Sequence, residues 1–253
     1  MKPIVEAEGG YRYVKPIETA IQGLSLLPGD IRLSEFEENL NGFWAEALQR
    51  KIKGYKGLTA MSALIDECTK RHRFDFVFYD TGPNIGPLNR IILLDCDWFI
   101  VPAACDLFSV RALKTLGHTL SEWISQWDTI SDIAPDGIKL LSGEPKFLGY
   151  IPQRFRVYGR GMARVPAHYL SQIEKHVFSD IISVLRAIKA DLAPIKLADS
   201  KLGEVKEFAT LVPLAQAQGL PLSEVIGGDP TLKQQAKQAF AEIAKKLITS
   251  IKK

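Results

Sequence analysis

Arg73-Phe-Asp-Phe-Val-Phe-Tyr-Asp80-Thr81-Gly82-Pro83 is the stretch whose reading decides the fold. Its aromatic, apolar run predicts a buried strand over Phe74–Tyr79 that ends in a carboxylate and then a tight turn. In open α/β sheets, ligands bind beyond the carboxyl ends of strands. Asp80 is therefore expected where a magnesium ion bound to a nucleotide would sit, because Mg²⁺ selects hard oxygen ligands. The same carboxylate could instead cap the turn or helix that follows, a common use of Asp. The stretch alone leaves both readings open.

Outward from it, extended apolar runs at Leu24–Pro28, Trp98–Ala103, Phe147–Ile151 and Pro194–Leu197 predict further strands. Most lack polar alternation, which suits parallel strands covered by helices on both faces. Between them, Val110, Leu113, Leu116, Leu120, Ile124 and Trp127 recur every three or four residues and predict a helix over Leu107–Trp127. The same spacing predicts helices over Tyr169–Ile188 and the final segment. In the final segment Leu232, Ala236, Phe240, Ile243, Leu247 and Ile251 share one side. Strands alternating with helices predict right-handed crossovers and an α/β fold, a doubly wound, mainly parallel sheet. No Ser/Gly/Pro-rich linker divides residues 1–253, so one domain is expected.

The 253 residues are 46% hydrophobic and 24% charged, inside the globular range, and the net charge of +3 is too small to demand a nucleic-acid partner. Cys68, Cys96 and Cys105 include no CxxC pair, against a disulfide framework or zinc site, and lead to the expectation of a reducing cytoplasm. No apolar run is long enough to span a membrane. His72, His118, His168 and His176 lack HExxH spacing and an obvious acidic partner, and read as packing or surface residues.

The chain resembles the ParA/MinD-type P-loop ATPases of plasmid and chromosome partition over nearly its whole length. Phe74–Pro83 resembles their Walker B strand and Asp-Thr-Pro-Pro turn, with Gly82 in place of the first proline. Leu24–Asp30 with Leu33–Glu37 resembles the strand and helix that follow the family's first βα unit. Trp98–Ala103 followed by Asp106–Ser109 and Leu113 resembles the next strand and helix entry, and Leu211–Gly219, Pro221 and Gly228–Pro230 the carboxyl-terminal loop and last helix. The resemblance implies ATP and Mg²⁺ as cofactors, a homodimer, slow ATP turnover stimulated by a partner protein, and non-specific DNA contact. It places Asp80 on the metal, Thr81, Gly82 and Pro83 at the nucleotide, and Gln153, Arg154, Lys196 and Asp199 near the base.

Neither G-x-x-x-x-G-K-[ST] nor the family's Lys-Gly-Gly-x-x-Lys-Thr occurs in the sequence, so the amide nest and lysine that cradle phosphates are not encoded in it. The closest imitation, Lys53-Gly-Tyr-Lys-Gly-Leu-Thr59, has the wrong spacing and is expected to be structural. The family's second acidic motif is also missing, so no catalytic residue is assigned. The resemblance starts just downstream of a P-loop unit. The expectation is either a shortened reading frame that lacks the first βα unit, with a central strand missing from the sheet, or a protein that has lost hydrolysis. A last cluster, Gln153-Arg154-Phe-Arg156-Val-Tyr-Gly-Arg160-Gly-Met-Ala-Arg164, concentrates guanidinium groups suited to phosphate oxygens. With Lys233, Lys237, Lys245 and Lys246 of the last helix, Arg156, Arg160 and Arg164 are candidate contacts to a DNA backbone; the alternative is a solvated face. Two functions stay open, an ATPase relative and a non-catalytic scaffold that binds DNA or protein.

Overall fold

The computed structural model describes residues 11–82, 84–155, 157–158, 161–162, 164–208 and 210–252, with no side-chain description at 157, 158, 161, 162, 164 and 165. The chain forms two compact units, one of the residues through Asp97 with Glu122–Pro145, the other of Trp98–Ser121 with the residues from Lys146 onward.

The first unit is mostly helical. A short antiparallel ladder joins β1 (Ile17–Glu18) to β2 (Ser25–Leu26). Helices α1 (Leu33–Leu48), α2 (Ile52–His72) and α3 (Pro87–Asp95) follow. Phe36, Leu40, Phe43, Trp44 and Ala47 lie on one face of α1 at helical spacing, and Tyr55, Leu58, Met61 and Leu64 answer from α2; all are buried. Gly54 and Gly57 let the two backbones approach. A Cβ on Gly54 would lie 2.4 Å from the Ala47 nitrogen, and one on Gly57 would lie 2.4 Å from the Phe43 ring. The Lys53–Thr59 motif is thus a helix-packing device, as expected. Arg73, in the left-handed region at φ 54°, ends α2.

The second unit holds a three-stranded sheet, β3 (Trp98–Ala104), β4 (Lys146–Phe155) and β7 (Val205–Lys206), in the order β3-β4-β7, with every pairing parallel. Helix α4 (Leu107–Asp132) leaves β3, and its two ends belong to different units. The β5–β6 hairpin (Val157–Tyr158, Gly161–Met162) follows β4. Helix α5 (Arg164–His176), a π-helical turn (Val177–Ile182) and α6 (Ser183–Ile188) come next, and after β7 α7 (Leu211–Gln218) and α8 (Pro230–Ile251) close the unit. The apolar runs of β3 and β4 bury Phe99 against Phe147, ring centroids 5.4 Å apart. Asp229 caps α8 by accepting hydrogen bonds from the Thr231 and Leu232 amides, ahead of Pro230 in the first turn.

The structure corrects three expectations of secondary structure. Phe74–Tyr79 carries a bend at Asp75 and joins no ladder among the described residues. A strand is defined by its partner, and apolar content alone cannot supply one. Pro194–Leu197 is not a strand either; it leads into a 3₁₀ turn at Leu197–Asp199, and the chain joins β4 only from Lys201, through a parallel bridge to Tyr150. The expected helix over Tyr169–Ile188 is interrupted by the π turn, at the place where Gly117 of α4 meets the Asp180 carbonyl so closely that a Cβ there would sit 1.6 Å from the oxygen. Phe240 of α8, on the apolar side expected from the spacing, is 49% exposed.

Candidate functional site

In the first unit, the turn after Asp80 is set by one buried side chain. Asn89 lies in the first turn of α3 and is 7% exposed. Its Nδ2 donates to the Gly82 carbonyl, the Asn84 carbonyl and Asn84 Oδ1, each at 2.8 Å. A single amide thereby fixes the backbone on both sides of position 83. Asn84 Oδ1 also accepts from the Gly86 amide at 3.3 Å. Pro87 opens α3, where its missing N–H costs nothing. The Leu88 amide of that same turn points to Glu37 Oε1 of α1, at 3.4 Å. The anion position at this helix end is therefore filled by the protein's own carboxylate.

Asp80, Thr81 and Gly82 are exposed on this pinned turn, and the Asp80 carboxylate has no hydrogen bond or ion pair among the described residues. It does not cap α3; Gly86 occupies the cap position. Pro83 lies outside the described residues. Behind the turn, Ser62 Oγ donates to Asp95 Oδ1 at 2.7 Å, and burial raises the Asp95 carboxyl above the ordinary range. Tyr79 is raised chiefly by burial and further by the nearby Asp95, so its phenol stays protonated. Burial likewise pushes the Cys96 thiol up to about 12 and raises Cys68 and Cys105, which leaves all three cysteines as unreactive thiols.

The second unit collects the carboxyl ends of its parallel strands. The Cys105 amide donates to the Gln153 carbonyl at 3.1 Å, and the Glu207 amide to the Phe155 carbonyl at 3.0 Å. Between those two bonds Arg154 is the extra residue of a β-bulge, since Gln153 pairs with Val205 and Phe155 with Lys206. Arg154 has φ 58°, in the left-handed region, and is exposed. Asp106 Oδ1 accepts the Ser109 amide at 2.8 Å at the start of α4. The bulge re-aims a guanidinium at the end of the sheet where α/β folds take ligands.

Lys196 and Asp199 are not brought to this edge. Both are exposed, and both precede Lys201, which pairs with Tyr150, three residues before Gln153 in a parallel ladder. They therefore lie toward the amino ends of the strands. Arg156 and Arg160 lie outside the described residues; Arg164 is described only as the first residue of α5.

The four lysines of α8 do not form one stripe. At about 100° per residue, Lys237 is offset about 40° from Lys233, Lys245 about 120° and Lys246 about 220°. Lys233 Nζ donates to the Val225 carbonyl at 2.7 Å and Lys246 Nζ to the Lys201 carbonyl at 3.1 Å. Only Lys237 and Lys245 are exposed without such a bond among the described residues.

Sequence reasoning found no acidic partner for His176, yet its Nδ1 lies 2.7 Å from Asp180 Oδ2, one turn on. His72 Nε2 meets Tyr13 Oη at 2.8 Å. No group of three or more His, Cys, Asp or Glu side chains is placed to hold a metal ion among the described residues. Asn89 was also missed. Its signal was a polar residue on the buried side of a short helix, among Ile91, Ile92 and Leu94.

Residues 11–133 match the AAA_31 family model, described as an AAA domain. Among solved structures, the chain is similar to protein DIP2308 from Corynebacterium diphtheriae. The match has 21% sequence identity and a TM-score of 0.67, and covers 98% of this chain and 73% of that one. At that identity the likeness shows the fold alone, a parallel sheet with helices. No helix among the described residues is long and apolar enough to cross a membrane. The matched segment contains the Asp80 turn and the Asn89 amide that holds it.

Proposed function

We propose that this chain is a ParA-type partition or positioning ATPase relative that carries the metal-facing part of a nucleotide site without its phosphate cradle. The observation that supports this is the exposed Asp80, without a hydrogen bond or ion pair among the described residues, on a turn fixed by Asn89. Mg²⁺ is commonly bound by one or two carboxylates together with substrate phosphates. One carboxylate with no neighbouring cluster among the described residues fits that use, and does not fit a metal cage built of protein alone. Asp80 would face the ion, which would neutralise phosphate charge. Thr81 and Gly82 would line the same turn.

In this reading the 253 residues alone do not bind ATP tightly, and ATP-dependent dimerisation and turnover need a P-loop unit. A cytoplasmic location and stimulation by a partner protein follow from the same family reading. DNA contact is the weaker part of it, because Lys233 and Lys246 hold backbone carbonyls and the remaining lysines diverge. The test is to fuse a βα unit carrying Lys-Gly-Gly-x-x-Lys-Thr ahead of the chain and titrate ATP with Mg²⁺. The fusion should bind ATP, and Asp80→Asn should weaken binding in Mg²⁺ while leaving metal-free binding unchanged. Equal binding in Mg²⁺ by the parent fusion and its Asp80→Asn variant would remove Asp80 from the site.

A further inference from the structure

Arg90 of α3 follows Asn89 in the chain, and its side chain is held by two other helices. The guanidinium carbon lies 3.2 Å from the centroid of the Trp44 ring on α1 and 6.0 Å from that of Trp123 on α4. Its Nη2 donates to Gln126 Oε1, one turn beyond Trp123. Trp123 and Gln126 stand on the part of α4 that belongs to the first unit, so the arrangement lies within that unit. Trp44 is itself braced by Trp127, ring centroids 5.7 Å apart, whose Nε1 donates to the Leu141 carbonyl at 3.3 Å. Burial lowers the Arg90 guanidinium to about 10, which leaves it charged at neutral pH. Packing alone does not call for a desolvated charge, since an apolar side chain of similar volume serves stability as well or better.

We propose that Arg90 is a positioning residue for the Asp80 turn: its stack on Trp44 and its bond to Gln126 set the roll of α3, and that roll aims the Asn89 amide at the Gly82 and Asn84 oxygens. Successive helical residues point about 100° apart, so a contact that fixes the direction of Arg90 also fixes that of Asn89. Other contacts of α3 constrain its roll less. Ile91, Ile92 and Leu94 are buried, but apolar burial has no direction. The Leu88 bond to Glu37 is long, 3.4 Å, and the Ser62 bond to Asp95 is at the far end of the helix. A side-chain tip lies about 5 Å from the helix axis, so a roll of about 15° carries it about 1.3 Å. Along any one of the three 2.8 Å bonds of Asn89, that shift passes hydrogen-bond range. Arginine suits the task because its planar fork stacks and donates together, which lysine cannot do. The consequence for Mg²⁺ rests on the proposed function; the consequence for the turn does not.

The test is nuclear magnetic resonance of the Asn89 side-chain amide in the full chain, its signals assigned by their loss in Asn89→Ala. Arg90→Met fills the slot between the rings without a donor or a charge. Its urea midpoint should stay within about 0.5 M of the parent's, while the Asn89 amide protons exchange with water about tenfold faster or more. Arg90→Lys should not rescue them. Gln126→Ala, at an exposed position, frees one end of the fork and should speed the same exchange about fivefold, which keeps the test open if Arg90→Met does not fold. Exchange unchanged in both variants, or faster only in proportion to a lowered urea midpoint, would overturn the proposal. In the P-loop fusion, Arg90→Met should weaken Mg²⁺-dependent ATP binding and spare metal-free binding. Faster Asn89 exchange with Mg²⁺-dependent binding unchanged would support the positioning of the turn and count against Asp80 in a nucleotide site.

Discussion

Replacing Asn89 by alanine probes the turn that carries Asp80. The Asn89 amide has two hydrogens and serves three oxygens, so the variant loses two full hydrogen bonds, one of them shared. At about 1 kcal/mol net each, the loss is about 2 kcal/mol. Gly82 and Asn84 are exposed, so water can reach their carbonyls and the cost should not grow much beyond that. For a chain of this size that lowers Tm by roughly 4–8 °C. Urea unfolding followed by far-UV circular dichroism should show a lower midpoint at unchanged slope. Asn89→Asp sharpens the test. It turns the donor into an acceptor facing three oxygens, so the folded state raises the new carboxyl's pKa. Its deficit should be small below the unfolded carboxyl value of about 3.9, where a protonated group can still donate, and should grow as pH rises through the folded value. A loss under about 0.5 kcal/mol for Asn89→Ala, or a deficit for Asn89→Asp that does not change with pH, would refute this account of the turn.

Gly54→Ala should destabilise by about 2 kcal/mol or more, because its Cβ meets the Ala47 and Phe43 backbone and neither can move aside alone; chemical denaturation checks this. Gly117→Ala should cost about 3 kcal/mol or more through collision with the Asp180 carbonyl, and a variant as stable as the parent would mean that the π turn relaxes freely. Asp95 has its pKa raised by burial, so its neutral form favours folding and stability should fall as pH climbs from the unfolded carboxyl value through the folded one. Asp95→Asn, which can still accept from Ser62, should flatten that decline in a pH series of urea midpoints. Replacing Lys237 and Lys245 by alanine should remove most of whatever salt-dependent affinity α8 has for random duplex DNA, and unchanged anisotropy titrations would exclude this helix as a DNA contact.

Elements with a continuous apolar run or a clear helical period were legible in the sequence. Trp98–Ala103 and Phe147–Ile151 read as parallel strands because their apolar runs are continuous, and the 3.6-residue period of Val110 to Trp127 located its helix. Features that depend on a partner were hidden. Phe74–Tyr79 has the composition of a strand, but no sequence pattern can show that its ladder is absent among the described residues. The strand expected at Pro194–Leu197 gives way to a pairing that begins at Lys201, which moves Lys196 and Asp199 away from Gln153. The π turn lies where Gly117 meets Asp180, a residue distant in sequence, so local periodicity carried no trace of it. At the site, Asp80 and Arg154 could be named from the turn and the strand end. Asn89 could not, because its role lies in three oxygens brought to it by the turn.

If the turn carrying Asp80 persists here without a phosphate cradle, isothermal titration of the 253-residue chain with ATP and Mg²⁺ tests that condition most directly. Without the amide nest and its lysine only the metal contact remains, so binding should be no tighter than roughly millimolar. A micromolar dissociation constant, about 4 kcal/mol tighter, would contradict this and require a second phosphate-binding element in the chain.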